Sequence, residues 1–161
     1  MGSGRSGLYS GTYGNNVAPG SAYYMDPDDD FSKFIKKRRD IDVNGFYDVI
    51  AHGTTRTIQI QHNGISVEIT HRTAVRLIAK DPNYKGRSIR LLSCDTGGIS
   101  RGFAQGLADR LNVVVKAPTK LVWVRPDGSY FVAGRSKTNP NLPDKNNRGR
   151  FVKFYPRGAK K

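Results

Sequence analysis

The chain is short of the residues that staple, chelate or span. One cysteine in 161 residues excludes an internal disulfide framework and a zinc site built from several thiolates. Cys94 is therefore either a packed thiol or a nucleophile. Three histidines, His52, His62 and His71, stand at no metal-ligand spacing, so no metal is expected. Glu68 is the only glutamate, and no paired acidic motif of the ADP-ribosyltransferase kind is present. No apolar run approaches the roughly 18 residues of a membrane-crossing helix. The opening Met1-Gly-Ser-Gly4 lacks the charged start and apolar stretch of a signal peptide. Acid is scarce as well: 27 lysines and arginines face 13 aspartates and glutamates, a formal charge of +14. That surplus bears on partners, and it points to a polyanion or an acidic protein surface.

The length fits one core. Residues 1–30 are rich in Gly, Ser, Tyr and Asn without apolar periodicity and read as a flexible arm. The domain then occupies residues 31–161. Phe31-Ser-Lys-Phe-Ile-Lys-Lys-Arg-Arg39 fits a first strand or a helical turn. Phe46-Tyr-Asp-Val-Ile-Ala51, bounded by Asn44-Gly45 and His52-Gly53, reads as a buried strand. Thr57–Gln61 and Ile65–Ile69 alternate around His62-Asn-Gly64, the pattern of a hairpin. A helix follows Thr70, with Ala74, Val75, Leu77 and Ile78 at helical spacing before Asp81-Pro82. Arg87–Ser93 is a second buried strand, and Phe103, Ala104, Leu107, Ala108 and Leu111 make residues 101–111 an amphipathic helix. Val113–Ala117 gives a third strand. Leu121–Val124 and Ser129–Val132 flank Arg125-Pro-Asp-Gly128 as another hairpin. Residues 134–150 read as a long polar loop, and Phe151–Tyr155 as a returning strand.

Strands alternating with helices predict an α/β fold, a mainly parallel sheet flanked by helices. Reactive groups in such sheets gather where strands end at their carboxyl edge, and both His52 and Cys94 hold that position. Thiolate is the nucleophilic form, and free cysteine has a pKa of about 8.5, so an imidazole beside it is the usual activator. Gly53 follows the histidine, and Gly97 and Gly98 follow the cysteine. These glycines allow sharp turns and leave room for a substrate chain. The amides of Gly53 and Cys94 are then candidates for holding an oxyanion. His62, in a hairpin turn, and His71, at a helix start, have simpler explanations in exposure and capping.

Tyr47-Asp-Val-Ile-Ala-His-Gly53 followed by Ile89-Arg-Leu-Leu-Ser-Cys94 resembles the double signature of the caspase-like (clan CD) cysteine peptidases. Within them it is most similar to the self-processing protease domains of large bacterial toxins. The similarity continues through Gly102-Phe-Ala-Gln105 and Leu107 and covers roughly residues 45–155. It implies a caspase-like sheet with a C-terminal hairpin flap, Cys94 as nucleophile, His52 as its base or electrostatic partner, and Gly53 with Cys94 as oxyanion donors. It implies a protein substrate or the parent polypeptide itself, and delivery into a target cell as part of a larger secreted toxin or effector. An acidic immunity or inhibitor protein would suit the charge. Family members recruit an acid near the histidine; Asp48 shares the strand but lies four residues away. The toxin proteases need no cofactor for the chemistry and are switched on by inositol hexakisphosphate. Lys116, Lys120, Arg125, Arg135, Lys137, Arg148, Arg150 and Lys153 supply charge for such a ligand without aligning to a known site.

A second reading keeps the fold and makes the cysteine incidental. Lysines and arginines interleaved with Tyr84, Tyr130, Phe131, Phe151, Phe154 and Tyr155 would give RNA phosphate contacts and stacking faces. The same aromatics also suit a core and hairpins.

Overall fold

The computed structural model describes residues 21–42 and 45–157. The chain builds a five-stranded sheet in the order β1-β2-β6-β7-β11 from β1 (Ser21–Tyr23), β2 (Tyr47–Ile50), β6 (Ile89–Leu92), β7 (Val115–Pro118) and β11 (Phe151–Phe154). The first four run parallel and β11 returns antiparallel along β7. The architecture is thus mixed α/β, with a mixed sheet at its centre.

Alternation along β2 and β6 explains why the sheet is covered on both faces. Tyr47, Val49 and Ala51 join Ile89 and Leu91 on one face, against α2 (His71–Lys80) and α3 (Phe103–Leu111). Ala74, Leu77 and Ile78 of α2 and Phe103, Leu107 and Ala108 of α3 meet there, at the three- and four-residue spacing of helical stripes. A small antiparallel sheet, β3-β4-β5, adds Ile58, Ile60 and Ile69 to this core. Its strands are β3 (His52–Gly53), β4 (Thr57–His62) and β5 (Ile65–Thr70). Asn63 and Gly64 both have positive φ, 54° and 80°, the two-residue turn that hairpin twist selects. Each fully buried side chain of this size contributes about 1.5–3 kcal/mol.

The other face carries Ile50 and Leu92 under Tyr23, Met25 and Ile35. Here α1 (Asp30–Ile35) packs beside a third sheet, β10-β9-β8, built from β8 (Leu121–Val124), β9 (Tyr130–Arg135) and β10 (Pro143–Arg148). One polar row crosses all five strands on this face: Ser21, Asp48, Arg90, Lys116 and Lys153 stand side by side in register. Arg38, 4% exposed, reaches the row from the end of α1. It donates from Nε and Nη2 to Asp48, from Nη2 to Ser21, and from Nη1 to the Tyr23 hydroxyl and the Ile35 carbonyl. Arg90 pairs with Asp48 and Asp40. Asp48 therefore holds two guanidinium groups, one buried and one part-buried.

Three expectations change. Residues 21–30 are not part of a flexible arm: Ser21–Tyr23 is the edge strand of the main sheet, and Ala22, Tyr23, Tyr24 and Met25 are buried. A three-residue strand is too short for a period to show. Residues 1–20 of that expected arm lie outside the described residues. The loop at 134–150 is part strand, since Pro143 and Asp144 pair with Arg135 and Gly134, and Arg148 pairs with Ala133 across a register shift. Its polar composition hid it, because β10 is an exposed edge with little apolar surface to bury. The hairpin expected around residues 121–132 is present, enlarged by β10 into three strands.

Candidate functional site

Ile50 pairs with Leu92 in parallel register. His52 and Cys94 each stand two residues farther on, so they leave neighbouring strands at the same carboxyl edge. The two strand ends touch through backbone. A side chain on Gly53 would lie 2.8 Å from the Cys94 carbonyl oxygen and 3.1 Å from the Ser93 Cβ, so only glycine admits this approach. The amide of Thr54 donates to the Thr57 carbonyl. By the alternation of an antiparallel ladder, the Gly53 N–H then faces away from β4, free to serve another acceptor.

His52 is half exposed, and its Nε2 lies 2.8 Å from Asp29 Oδ2. The other oxygen of that carboxylate accepts the Phe31 amide at the start of α1. Asp29 therefore caps a helix and orients the imidazole at once. The sequence carried a signal for it: an aspartate just before an apolar Phe31…Phe34-Ile35 pattern is a helix start. The Gly- and Ser-rich composition of the preceding residues masks that start. Asp48, the acid nearer in sequence, is committed to Arg38 and Arg90 and is buried.

Cys94 Sγ accepts the Val122 amide of β8 at 3.3 Å. Burial pushes the thiol above its ordinary pKa; the Val122 N–H and the charge of Arg135 pull it down, and Asp95 opposes them. The thiol is thus sheltered under the β8 strand while the imidazole is held by Asp29. Asp95, just after the thiol, takes a left-handed turn (φ 64°) and donates its amide to Lys120. Gly97 does not provide open space. A side chain there would lie 2.7 Å from the Ala117 carbonyl, and its amide donates to Pro118, so this glycine packs the turn against β7. Gly98 is exposed and donates to Asp95.

The expected basic residues divide into two groups. Lys116, Arg148 and Arg150 line a basin of about 860 Å³ over the polar row, together with Arg38, Arg39 and Arg90, which the sequence reading left out. Asp40 and Asp127 are the acids among the lining residues, so six cations face two anions. Asp40 is engaged, accepting the Tyr130 hydroxyl at 2.5 Å and two Arg90 nitrogens. Although burial opposes it, those contacts hold its carboxyl below the usual range. Lys120, Arg125, Arg135, Lys137 and Lys153 do not line the basin. Arg135 donates to the Pro140 carbonyl, Arg125 covers the Phe131 ring at 4.5 Å, and Lys153 ends the polar row beside Lys116. The Phe131 ring also receives Arg148 at 5.6 Å, and Tyr130 and Phe151 meet edge to face.

His71 packs its ring on Gly106 at the α2–α3 contact. Burial and the nearby Arg110 and Arg72 lower its pKa. His62 closes the β4–β5 hairpin opposite Ile65. Neither is brought to the Cys94 edge. No group of three or more metal-ligating side chains occurs among the described residues. No helix among them is long and apolar enough to cross a membrane.

Fold and strand ends together define a mixed α/β domain with a histidine and a cysteine at adjacent carboxyl edges. The chain belongs to the family described as Domain of unknown function (DUF8616), whose model matches residues 20–132, from β1 into β9. No curated protein and no solved structure matches the chain.

Proposed function

We propose that this domain is a caspase-like cysteine endopeptidase, a toxin or effector module of bacterial origin, acting through His52 and Cys94. The observation that carries the reading is the pair of in-register parallel strands, Tyr47–Ile50 and Ile89–Leu92, that deliver the two residues to one edge with Gly53 on the Cys94 carbonyl. The Cys94 thiol yields its proton to the His52 imidazole as the sulfur attacks the scissile carbonyl, and the amides of Gly53 and Cys94 receive the oxyanion. His52 passes a proton to the departing amine, and water then releases the acyl group from sulfur. Asp29 keeps the imidazole turned for this task.

The sheltered thiol fits an enzyme that waits for a signal. The basin supplies a place for one: a polyanion such as inositol hexakisphosphate would meet Arg39, Lys116, Arg148 and Arg150, beside Tyr130, Phe131 and Val132 of β9. Phe131 is already covered by arginines, which leaves its ring a poor stacking platform and favours a compact phosphate ligand over RNA. Substrate protein, parent polypeptide and an acidic inhibitor are the corresponding partners.

The test combines Cys94→Ala and His52→Ala with a thermal melt, peptide cleavage, and thiol labelling at neutral pH with and without inositol hexakisphosphate. The expected result is loss of cleavage by about 10³-fold or more in both variants with the melt nearly unchanged, and faster labelling once the polyanion binds. Full activity in Cys94→Ala, or length-dependent RNA binding with no cleavage, would replace the peptidase reading by the RNA-directed one.

A further inference from the structure

A chain of net charge +14 with a single glutamate places that glutamate in one strand-register row with the candidate histidine. His52 pairs with Gln59, and Gln59 pairs with Glu68, so the three form one row across β3, β4 and β5. The row lies on the outer face of this small sheet, because Ile58, Ile60 and Ile69 turn the opposite way into the core. His52, Gly53, Thr54, Thr57, Gln59 and Glu68 together line a small hollow of about 50 Å³. Glu68 is exposed and makes no ion pair or side-chain hydrogen bond among the described residues. An unpaired carboxylate in so basic a chain is available to a cation from outside.

The direction of the reaction says which part of a substrate passes over it. An imidazole that protonates the leaving amine has that amine against it, and the chain beyond the amine continues away from the thiol. Cys94 lies on the β6 side of His52, and the row runs from His52 toward β5. Strands are spaced by about 4.8 Å and extended residues by about 3.3 Å. Glu68 is thus about 10 Å from His52, the span of some three residues. We infer that Glu68 reads a cationic side chain, lysine or arginine, within the first three residues after the scissile bond. This rests on the peptidase reading and adds a substrate class to it.

Charged residues also guard open sheet edges, and β5 is such an edge. Glu68→Lys keeps a charge there while reversing its sign, and so separates the two roles. The full chain is assayed with a peptide set varied only at the three positions after the cut, for the wild type, Glu68→Gln and Glu68→Lys. The wild type is expected to favour lysine or arginine over glutamate by about fivefold to tenfold in kcat/KM. Glu68→Gln should remove that preference while cleaving the all-serine peptide at the wild-type rate, and Glu68→Lys should reverse it. A preference absent from the wild type, or retained by Glu68→Gln, overturns the inference and leaves the peptidase intact. In a second arm, tri-lysine and tri-serine amides are titrated into Cys94→Ala by NMR. Binding of tri-lysine that weakens in Cys94→Ala/Glu68→Gln upholds the cationic subsite even where no peptide is cleaved, an outcome that removes the peptidase reading alone. Equal binding of the two amides, or none, overturns the subsite.

Discussion

Two polar centres lie on adjacent parts of the same strands, and they are held in opposite ways. In the middle of β2 and β6, Asp48 and Arg90 face each other in register and are enclosed by Arg38, Asp40, Ser21 and Tyr23. Four residues on, at the strand ends, His52 has one carboxylate partner and half its side chain in solvent. The buried centre fixes strand pairing; the strand-end centre is left with spare hydrogen-bonding capacity. The charges of the buried centre are paired from several sides, and the strand-end imidazole keeps a side open, as the proposed reactive role requires.

The largest expected effect comes from breaking the buried centre. Asp48→Ala leaves the buried Arg38 guanidinium without a carboxylate and the part-buried Arg90 with Asp40 alone, and urea denaturation should show a loss of about 3–5 kcal/mol. Cys94→Ala, by contrast, should cost under about 1.5 kcal/mol. If the two variants melted alike, the division between a structural centre and the proposed reactive one would fail.

Asp29→Asn sharpens the same contrast at its other end. Asparagine caps a helix about as well as aspartate, so the melt should move little. Loss of the charge that orients His52 should lower kcat/KM roughly tenfold, a part of the 10²–10⁴ that a positioned acid–base group provides. An unchanged kcat/KM would make Asp29 a cap and nothing more.

The thiol gives a smaller, pH-dependent effect. Burial raises the Cys94 pKa in the folded chain, so the unfolded chain loses its thiol proton first, near pH 8.5. Stability should therefore fall as the pH rises from about 8.5 to 9.5, below the range of the tyrosines. The slope should vanish in Cys94→Ala; a slope that survives belongs to another group. Smallest of all is the surface pair of Asp109 with Arg157. The Arg157 guanidinium holds Asp109 down to about 2. Its contribution is present above the ordinary carboxylate range and is lost as the pH falls through about 2. In Arg157→Ala the melt should vary less between pH 4 and 2 than in the wild type, and equal slopes would show that the pair contributes nothing.

Much of the sheet was legible because burial imposes a pattern. Tyr47–Ile50 and Ile89–Leu92 are short apolar runs that end at turns, and the α2 and α3 stripes repeat at helical spacing. Where burial is brief or one-sided the pattern fades: β1 has three residues and β10 few apolar ones. The candidate site followed the same rule. His52 and Cys94 were visible as strand ends, whereas Asp29 and Arg38 act through contacts made 23 and 10 residues away. A basic run such as Lys36–Arg39 shows its charge in the sequence but not that Arg38 alone turns inward. Glu68 stands out in the sequence as the only glutamate; its place in one row with His52 follows from strand register.

The outer strands of the main sheet come from far apart in the chain. β1 borders β2 on one side, and β11, closing on β7 through Phe151 and Phe154, completes the other. During synthesis the strand pair carrying His52 and Cys94 is made long before Phe154 leaves the ribosome, yet β7 waits until then for its second neighbour. Pairings this distant in sequence slow folding. The domain should therefore finish its sheet only after translation has passed β11, and a nascent chain stalled before Phe151 should remain open to a protease that the completed chain resists.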